Sequence, residues 1–372
     1  MDLTAYLAWE PFHSKKLMKK LGIFSGLLTV LFLTSCKDSD DSVQYVATPA
    51  PLEIPAIFEG QILPPVIPED NPQTVEGIAL GKKLFFDTRL SADNTLACAS
   101  CHMQQEGFSD SRQFSVGITG EQGFRNSMPL QNLAFNYGEK FNWDGSANSL
   151  EDQMFEPVVN PIEMANTWPA VETMLQDSNE YPVLFEEAFG TQTIDSTLVT
   201  KAMAQFVRTL VSANSRFDQA QLGLIELTPQ EQNGLNVFLD ESRGDCFHCH
   251  GLPANPLWTD NAFHNNGLDS EFDDLGLGNV TGDPREFGLF RSPSLRNLKF
   301  TAPYMHDGRF ATLDEVIDHY SEGLVFSETI DPLMKAISEG GVQLTDEDKA
   351  DLKAFLLSLS DDSFINNPDF RE

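Results

Sequence analysis

Cysteine is scarce in this chain of 372 residues, which contains only five. Four of the five occur in two copies of one pattern, Cys-x-x-Cys-His, as CASCH at 98–102 and CFHCH at 246–250. A structural zinc site needs four ligands that close on one metal, whereas these pairs lie far apart and each is followed by its own histidine. A thioredoxin-type redox motif explains neither the histidine nor the repetition. The pattern predicts two covalently attached c-type haems.

The spacing within each copy suits haem attachment. Two thiols three positions apart on one helical turn can add to the two vinyl groups of a haem, and the adjacent histidine then supplies an axial nitrogen to the iron. The predicted attachment residues are Cys98, Cys101 and His102 for the first haem (haem one), and Cys246, Cys249 and His250 for the second (haem two).

Basic residues are also few. The chain has 24 lysines and arginines against 56 acidic residues, which gives a net charge of −32 at pH 7. So acidic a chain argues against nucleic acid as a partner, because nucleic acids are bound mainly through neutralised phosphates. The charge favours a basic partner, such as a small basic cytochrome, unless it serves solubility alone.

No apolar run is long enough to predict a transmembrane helix with clarity. Residues 18–36, MKKLGIFSGLLTVLFLTSC, place two lysines before a short apolar run that ends in LTSC. This order is typical of a bacterial secretory signal with a lipobox. We therefore predict a signal segment at 1–35 with Met18 as the true start, and Cys36 as the lipidated N-terminus. An uncleaved membrane anchor is the alternative.

Export also suits the haem chemistry, because c-type attachment takes place outside the cytoplasm, in an oxidising compartment. We predict a lipoprotein of the periplasm or cell envelope that contacts the membrane only through its lipid anchor. Residues 36–65 are polar and then proline-rich, and we predict that they form a tether between the lipid and the folded part.

The stretches before the two haem motifs resemble each other. In LGKKLFFD (80–87) and NGLNVFLD (233–240), Gly81 aligns with Gly234 and Phe85 with Phe238. The apolar positions of both stretches have helical spacing. The repetition predicts two related cytochrome c-like haem domains within a mainly α fold.

The predicted organisation follows from this duplication. An N-terminal, peroxidatic haem domain is predicted at 66–220 and a C-terminal, electron-transfer haem domain at 221–372. The sequence also predicts helices at 194–216, 312–321 and 345–358. The long segments 104–147 and 251–300 are rich in Gly, Asn and Pro and are predicted to be haem-wrapping loops.

The N-terminal region offers its haem no distal histidine, because none occurs between Met103 and Phe247. An iron without a second protein ligand is open to peroxide, so haem one is the candidate for the chemistry. The methionines that could ligate it, or simply pack in the core, are Met103, Met128, Met154, Met164, Met174 and Met203. Peroxide cleavage needs a base that moves a proton between the two oxygens, for which residues 149–164 offer Glu151, Glu156 and Glu163.

Longer stretches of the chain resemble the bacterial dihaem cytochrome c peroxidases and their relative MauG, which oxidises tryptophans of a partner protein. The resemblance covers roughly residues 60–360. Besides the haem motifs and residues 149–164, it rests on FSDSRQFSVG (108–117), RNSMPLQN (125–132), NWDG (142–145), SLRN (294–297) and TAPYMHDGRFATLDEVIDHYSEG (301–323).

The resemblance implies roles for single residues. Glu163 corresponds to the catalytic glutamate over the peroxidatic haem, and Gln153 to a glutamine that lines the same pocket. Trp143 corresponds to the tryptophan between the haems, which carries electrons or shares radical character. The residues that correspond to the calcium site of the family are Asn126, Thr301 and Pro303, the last two through their carbonyl groups.

The sequence departs from conventional family peroxidases at two places. The loop SVGITGEQGFRN (115–126) lacks the histidine that caps the resting haem in those enzymes. Tyr320, 14 residues after His306, stands where they carry a methionine. MauG-like proteins have a tyrosine ligand there, so we predict Tyr320 as the distal ligand of haem two, with His319 and Met305 as rivals.

These observations predict a dihaem c-type peroxidase that reduces hydrogen peroxide at haem one with electrons that arrive through haem two. A MauG-like enzyme that oxidises a tryptophan of a partner protein is the first alternative, and a plain dihaem electron carrier is the second. The predicted partners are peroxide and either a small electron-donor protein or a protein substrate. A homodimer is left open, because family peroxidases are often dimers.

Overall fold

The structure is a computed structural model that describes residues 45–372. The predicted signal segment at 1–35, the start at Met18 and the lipidation site Cys36 lie outside these residues. Within the described range no helix is both long and apolar enough to cross a bilayer.

The described residues fold mainly into short α-helices, as predicted. The helices are α1 (Val75–Phe86), α2 (Leu150–Val159), α3 (Trp168–Gln176), α4 (Tyr181–Phe189), α5 (Ser196–Arg208), α6 (Arg216–Gln221), α7 (Pro229–Leu239), α8 (Phe247–His250), α9 (Leu277–Thr281), α10 (Leu313–Glu322), α11 (Asp346–Ser358) and α12 (Asp362–Asn366). Two short strands, β1 (Phe263–His264) and β2 (Phe290–Arg291), pair antiparallel with Phe263 opposite Arg291. The predicted domain boundary at 220/221 falls at the end of α6 and stays a prediction.

Two helix pairs are built alike. Helix α1 packs against α5, and α7 packs against α11. A Cβ atom on Gly81 would lie 1.8 Å from the carbonyl oxygen of Ala202, and one on Gly234 would lie 1.9 Å from that of Asp351. Since neither backbone leaves room for a side chain, only glycine allows these close crossings.

The matching helices α1 and α7 also share their ends. Thr74 and Thr228 cap them, and Thr228 forms a capping box with Glu231. They end at Asp87 and Asp240, whose backbones are extended with nearly equal angles. The alignment of the two sequence stretches therefore has a direct counterpart in the backbone.

The apolar cores behind these helices correspond as well. Phe85 of α1 contacts Phe108 edge-on at 6.2 Å between ring centroids, and Phe238 of α7 contacts Trp258 in the same way at 5.6 Å. Phe108 and Trp258 are both fully buried, and both adopt a left-handed backbone, with φ of 58° and 54°. This conformation is unusual for bulky residues, and its repetition marks equivalent positions.

The predicted helix at 194–216 is interrupted. Helix α5 ends at Arg208 and α6 begins at Arg216. Between these helices the backbone amides donate hydrogen bonds to distant side chains. Asn132 Oδ1 accepts from the Ser212 amide (2.9 Å), and Asp361 Oδ2 accepts from the Ala213 amide (3.0 Å). Periodicity alone could not reveal these distant acceptors. The predicted helices at 312–321 and 345–358 are present as α10 and α11.

The prediction of a free tether over residues 36–65 needs correction for its described part. Residues 45–65 contain no helix or strand, as their prolines suggest, but they pack against the folded body. Phe58 is fully buried and contacts Phe135 edge-on at 5.1 Å. The Ala50 amide donates to the Gln73 carbonyl (2.9 Å), and Tyr45 lies against Gly190 at the end of α4. A proline-rich stretch can thus be irregular and still be fixed by one apolar side chain.

Candidate functional site

The first Cys-x-x-Cys-His motif forms a tight turn. The His102 amide donates to the Cys98 carbonyl (3.0 Å), and His102 Nδ1 donates to the carbonyl oxygen of Phe108 (2.9 Å). This bond fixes the tautomer and leaves Nε2 free to bind a metal. The Ser127 hydroxyl donates to the Cys101 carbonyl (3.0 Å) and lies 3.3 Å from His102 Nδ1.

The second motif has the same arrangement on α8. The His250 amide donates to the Cys246 carbonyl (3.2 Å). The Ser292 hydroxyl donates to the Cys249 carbonyl (3.1 Å) and lies 3.5 Å from His250 Nδ1. Burial lowers the pKa of His250 to about 4, and the carbonyl of Trp258 is one of the backbone groups that oppose this. The backbone carbonyl of Trp258 is thus close to His250, as the carbonyl of Phe108 is close to His102.

The paired serines were not predicted, although the sequence contains a signal for them. RNSMPLQN (125–132) and FRSPSLRN (290–297) align when Ser127 is placed on Ser292. The same alignment places Asn132 on Asn297, and both have a left-handed backbone, with φ of 60° and 65°. A second internal repeat therefore places one serine beside each histidine of the two motifs.

The second attachment site opens into a cavity of about 210 Å³. Cys246, Cys249 and His250 line it together with mostly apolar side chains. Burial raises the pKa of the Cys246 thiol to about 12, and no cysteine within residues 45–372 forms a disulfide. Neutral thiols at the wall of an apolar cavity fit a covalently bound haem.

The first attachment site fits a haem on different grounds. Cys98, Cys101 and His102 retain accessible surface, yet burial raises the pKa of Cys98 to about 12 and lowers that of His102. Surface that is accessible but surrounded by protein is expected at the wall of an internal space. The residues present therefore fit a second haem.

Glu163 lies close to the first attachment site. Its Oε1 accepts from Asn160 Nδ2 (2.7 Å). The surrounding protein, and next the charge of Glu156, raise the pKa of Glu163. Its side chain is nevertheless exposed, as expected for a group that borders an open space within the protein. After burial, the Glu163 charge is among the influences that raise the pKa of Cys98 and Cys101. The carboxylate is therefore close enough to both thiols to act on them electrostatically.

The other acidic candidates have different surroundings. Glu151 accepts two hydrogen bonds from Arg208, at 2.8 and 2.9 Å, which makes it part of a structural ion pair. Glu156 is exposed on α2. Gln153 lies one turn before Glu156 on the same helix, and its role in the pocket stays a prediction.

Tyr320 lines the cavity of the second site. Its hydroxyl accepts from Asn266 Nδ2 (3.1 Å), and burial raises its pKa to about 12. Met305 lines the same cavity, with its sulfur 3.5 Å from Asn266 Nδ2. His319 instead directs Nε2 to the carbonyl of Asn266 (3.1 Å) and is absent from the cavity wall. The geometry thus leaves Tyr320 and Met305 as candidates for the distal ligand.

Trp143 connects the two attachment sites through hydrogen bonds. Its Nε1 donates to the carbonyl of Asn126 (2.8 Å), the neighbour of Ser127. Its carbonyl accepts from the amide of Arg291 (2.9 Å), the neighbour of Ser292. Trp143 is buried and lines the cavity of the second site. Trp143 is therefore hydrogen-bonded to the residue next to each of the two serines that support the histidines.

The three residues predicted to bind calcium lie together on the wall of the same cavity: Asn126, Thr301 and Pro303. Asn126 Nδ2 donates to the carbonyls of Arg112 (3.0 Å) and Gln113 (3.2 Å). Residues 45–372 contain no cluster of three or more Asp, Glu, His or Cys able to hold a metal. A cation at this place would depend on amide and carbonyl oxygens, and calcium binding stays a prediction.

Comparison with known proteins gives a consistent result. A profile of the di-haem cytochrome c peroxidase family matches residues 75–224, which contain the first haem motif. Cytochrome-c peroxidase IdrP1 of Pseudomonas sp. (strain SCT) is 35% identical over 332 residues, with 80% of this chain and 84% of the relative covered. Methylamine utilization protein MauG of Methylorubrum extorquens is 37% identical over 297 residues, with 78% and 80% covered.

A solved structure is similar over nearly its whole length. It is a MauG-like protein associated with microbial copper homeostasis, which superposes with a TM-score of 0.76 at 35% identity. The superposition covers 86% of this chain and 99% of that protein.

Proposed function

Because the chain belongs to the dihaem cytochrome c peroxidase family, which includes MauG, we propose that it reduces hydrogen peroxide at haem one with electrons supplied through haem two. The observation that carries this assignment is the contrast between two otherwise matching attachment sites. Glu163 faces the first site, whereas Tyr320 faces the second. When bound, the haem irons supply peroxide binding and electron transfer.

Glu163 is proposed to move the proton. A general base must accept a proton from one peroxide oxygen and return it to the oxygen that leaves as water. The raised pKa of Glu163 brings its titration closer to neutral pH, where both transfers are favourable. Asn160 orients the carboxylate, and the Glu163 carbonyl accepts from the Ile118 amide (3.0 Å). The loop that lacks the capping histidine thus packs directly beside the base.

The methionines of the N-terminal region support an open haem one. Met154, Met164 and Met203 belong to the apolar core. The sulfur of Met128 lies 3.6 Å from Arg291 Nη2. With no histidine between positions 103 and 247, the iron at His102 is proposed to have a vacant distal position. Peroxide would then react with the resting protein, without prior reduction.

The remaining assignments rest on the family and on the contacts above. Trp143 is proposed to carry electrons between the haems, and Gln153 to line the peroxide pocket. The segments 104–147 and 251–300 are proposed to wrap the haems, and a calcium ion to bind at Asn126, Thr301 and Pro303. The acidic chain suits a small basic donor in the periplasm or cell envelope, with a lipid at Cys36 as the anchor.

A second function is favoured by Tyr320. A phenolate ligand stabilises ferric iron and its higher oxidation states, which suits an enzyme that stores two oxidising equivalents and passes them to a tryptophan of a partner protein. The similarity to MauG and to the MauG-like protein linked to copper homeostasis agrees with this alternative. A plain electron carrier is disfavoured, because it has no use for a base with a raised pKa at Glu163.

Electron paramagnetic resonance (EPR) of the diferric protein tests the proposal. We expect one high-spin signal from haem one and one low-spin signal from haem two, and we expect one equivalent of peroxide to remove both. Tyr320→Phe should alter only the low-spin signal, because the phenol lies in the second cavity. Two low-spin signals that peroxide leaves unchanged would reject an open haem one.

Steady-state assays separate the two functions. Rapid peroxide consumption with a reduced small c-type cytochrome supports the peroxidase. Slow consumption, together with oxidised tryptophan detected by mass spectrometry in a co-expressed partner, supports the modifying enzyme.

A further inference from the structure

Arg291 at the end of β2 is a buried cation that lacks a counter-charge. Only 6% of its surface is exposed. Its Nη1 donates to Asn261 Oδ1 (3.0 Å), its Nη2 lies 3.6 Å from the Met128 sulfur, and its Nε has no acceptor. Burial lowers its pKa to about 10, and no carboxylate of residues 45–372 opposes that shift.

The other two buried arginines of residues 45–372 have acidic partners. Arg296 binds both oxygens of Asp218 (2.7 Å each), and Arg208 binds Glu151 in the same bidentate way. The half-buried Arg125 also lies between two aspartates. Because an unpaired charge inside a protein carries a large desolvation cost, the exception at Arg291 indicates that an anion absent from the polypeptide completes the site.

The position of Arg291 points to the anion. The residue lines the cavity that also contains Cys246, Cys249 and His250, and the two partners of its guanidinium, Asn261 and Met128, line an adjoining cavity. A c-type haem is joined to its cysteines at the vinyl edge, and its two propionate carboxylates project from the opposite edge. A haem attached in this cavity would therefore supply carboxylates. The cavity wall contains one arginine and one lysine, Arg291 and Lys335, of which only Arg291 has no carboxylate partner.

We propose that Arg291 is the carboxylate anchor of haem two and that its guanidinium binds a propionate of that haem. The unsatisfied Nε and the neighbouring Nη provide the two parallel donors that a carboxylate accepts. The weak contact to the Met128 sulfur is easily replaced by such a bond. The inference depends on haem attachment at the second motif, which is part of the proposed function, but not on the reaction with peroxide.

The anchor has an electrochemical consequence. A buried propionate paired with a guanidinium stays ionised across neutral pH, so reduction of haem two takes up no proton. Without the guanidinium, burial raises the propionate pKa, and the extra electron on the iron raises it further. Reduction then draws a proton from water onto the propionate, and the midpoint potential becomes dependent on pH.

The test compares three variants of the full-length holoprotein by spectroelectrochemical titration from mildly acidic to mildly alkaline pH. Haem content is measured first by the pyridine haemochromogen method. In Arg291→Gln the potential of haem two should fall with rising pH, towards about 59 mV per pH unit for one proton per electron. Arg291→Lys should keep the flat profile of the unmodified protein, because it keeps the charge.

Lys299→Gln is the matched control. Lys299 is exposed and pairs with the exposed Asp362 (2.9 Å), and it does not line the cavity. Its removal takes away one positive charge and leaves no buried carboxylate unpaired, so its profile should stay flat. A flat profile in fully loaded Arg291→Gln, or a slope confined to haem one, would overturn the anchor.

Two further outcomes distinguish the Arg291 anchor from loss of haem and from the proposed peroxidase function. If Arg291→Gln fails to retain haem, resonance Raman spectra of Arg291→Lys replace the titration. A shifted propionate bending mode supports the anchor, and a spectrum identical to the unmodified protein rejects it. A pH-dependent potential in a protein that is inert to peroxide supports the anchor while rejecting the peroxidase.

Discussion

The two haem attachment regions are alike where they hold the haem and different where they meet a substrate or an electron. Gly81 and Gly234 allow the same helix crossing, and Ser127 and Ser292 support the same carbonyl and histidine. The two regions differ in the side chains proposed for the distal positions, Glu163 in the first and Tyr320 in the second. On that proposal, duplication accounts for attachment and later divergence for chemistry.

The two attachment regions also differ in how their surroundings shift the pKa of a nearby side chain. Glu163 at the first site is an acid whose neighbours make its ionisation harder. The second region instead contains His264, whose ring nitrogens lie 2.8 Å from Asp260 and 2.6 Å from Asp331. These carboxylates, Asp260 foremost, raise the pKa of His264, so the second region keeps a fixed cation. On the proposed function, the first region exchanges protons, whereas the second keeps a charged histidine near its attachment site.

The strongest test of this contrast is Glu163→Gln. Loss of the base should slow the reaction with peroxide by about 10²–10⁴-fold, the usual contribution of a positioned acid–base group. Stopped-flow absorbance after peroxide addition measures the rate. Asp152→Asn, which removes an exposed acid from the first turn of α2, should react normally. Comparable rates in both variants would place the proton transfer elsewhere.

The shared part of the comparison is tested by Gly81→Ala and Gly234→Ala. In each, a methyl group would meet a carbonyl oxygen at less than 2 Å, so we expect similar destabilisation of about 1–3 kcal/mol or more. Guanidinium unfolding followed by circular dichroism measures it. Gly123→Ala is the control, because the nearest atom to its added Cβ lies at 3.8 Å. A loss at one site alone would show that the two helix pairs are not equivalent.

The smallest expected effect is a change in pH dependence. A carboxyl group with a raised pKa stays protonated over a wider range, so the base form of Glu163 is lost as the pH falls through that raised value. The reaction rate should therefore decline on the acid side. Glu156→Gln removes the second cause of the shift and should move this decline to lower pH. An unmoved profile would assign the titration to another group.

The sequence predicted what depends on local pattern. The Cys-x-x-Cys-His spacing indicated both attachment sites, and helical periodicity located α10 and α11. It could not predict the break after Arg208, because Asn132 and Asp361 supply the acceptors from far along the chain. Arg291 carried no signal for a similar reason, since an unpaired charge becomes visible only when every neighbour is known.

The site residues fall between these extremes. Resemblance to the family singled out Glu163 among three glutamates, and its catalytic role stays a prediction. The structure adds that Glu151 is held in an ion pair with Arg208, a contact between residues 57 positions apart that the sequence could not reveal. The structure also reduces the candidates for the distal ligand of haem two, because His319 Nε2 is bonded to a backbone carbonyl. The spacing of residues in the sequence cannot reveal that bond.

The packing of residues 45–65 makes them part of the folded body. Phe58 and Tyr45 fix this stretch beside Phe135 and the end of α4. Phe58 and Phe135 are both buried, so a truncation that begins after residue 65 would expose apolar surface to water instead of trimming a loose end. The stretch should therefore resist proteases for as long as the body stays folded.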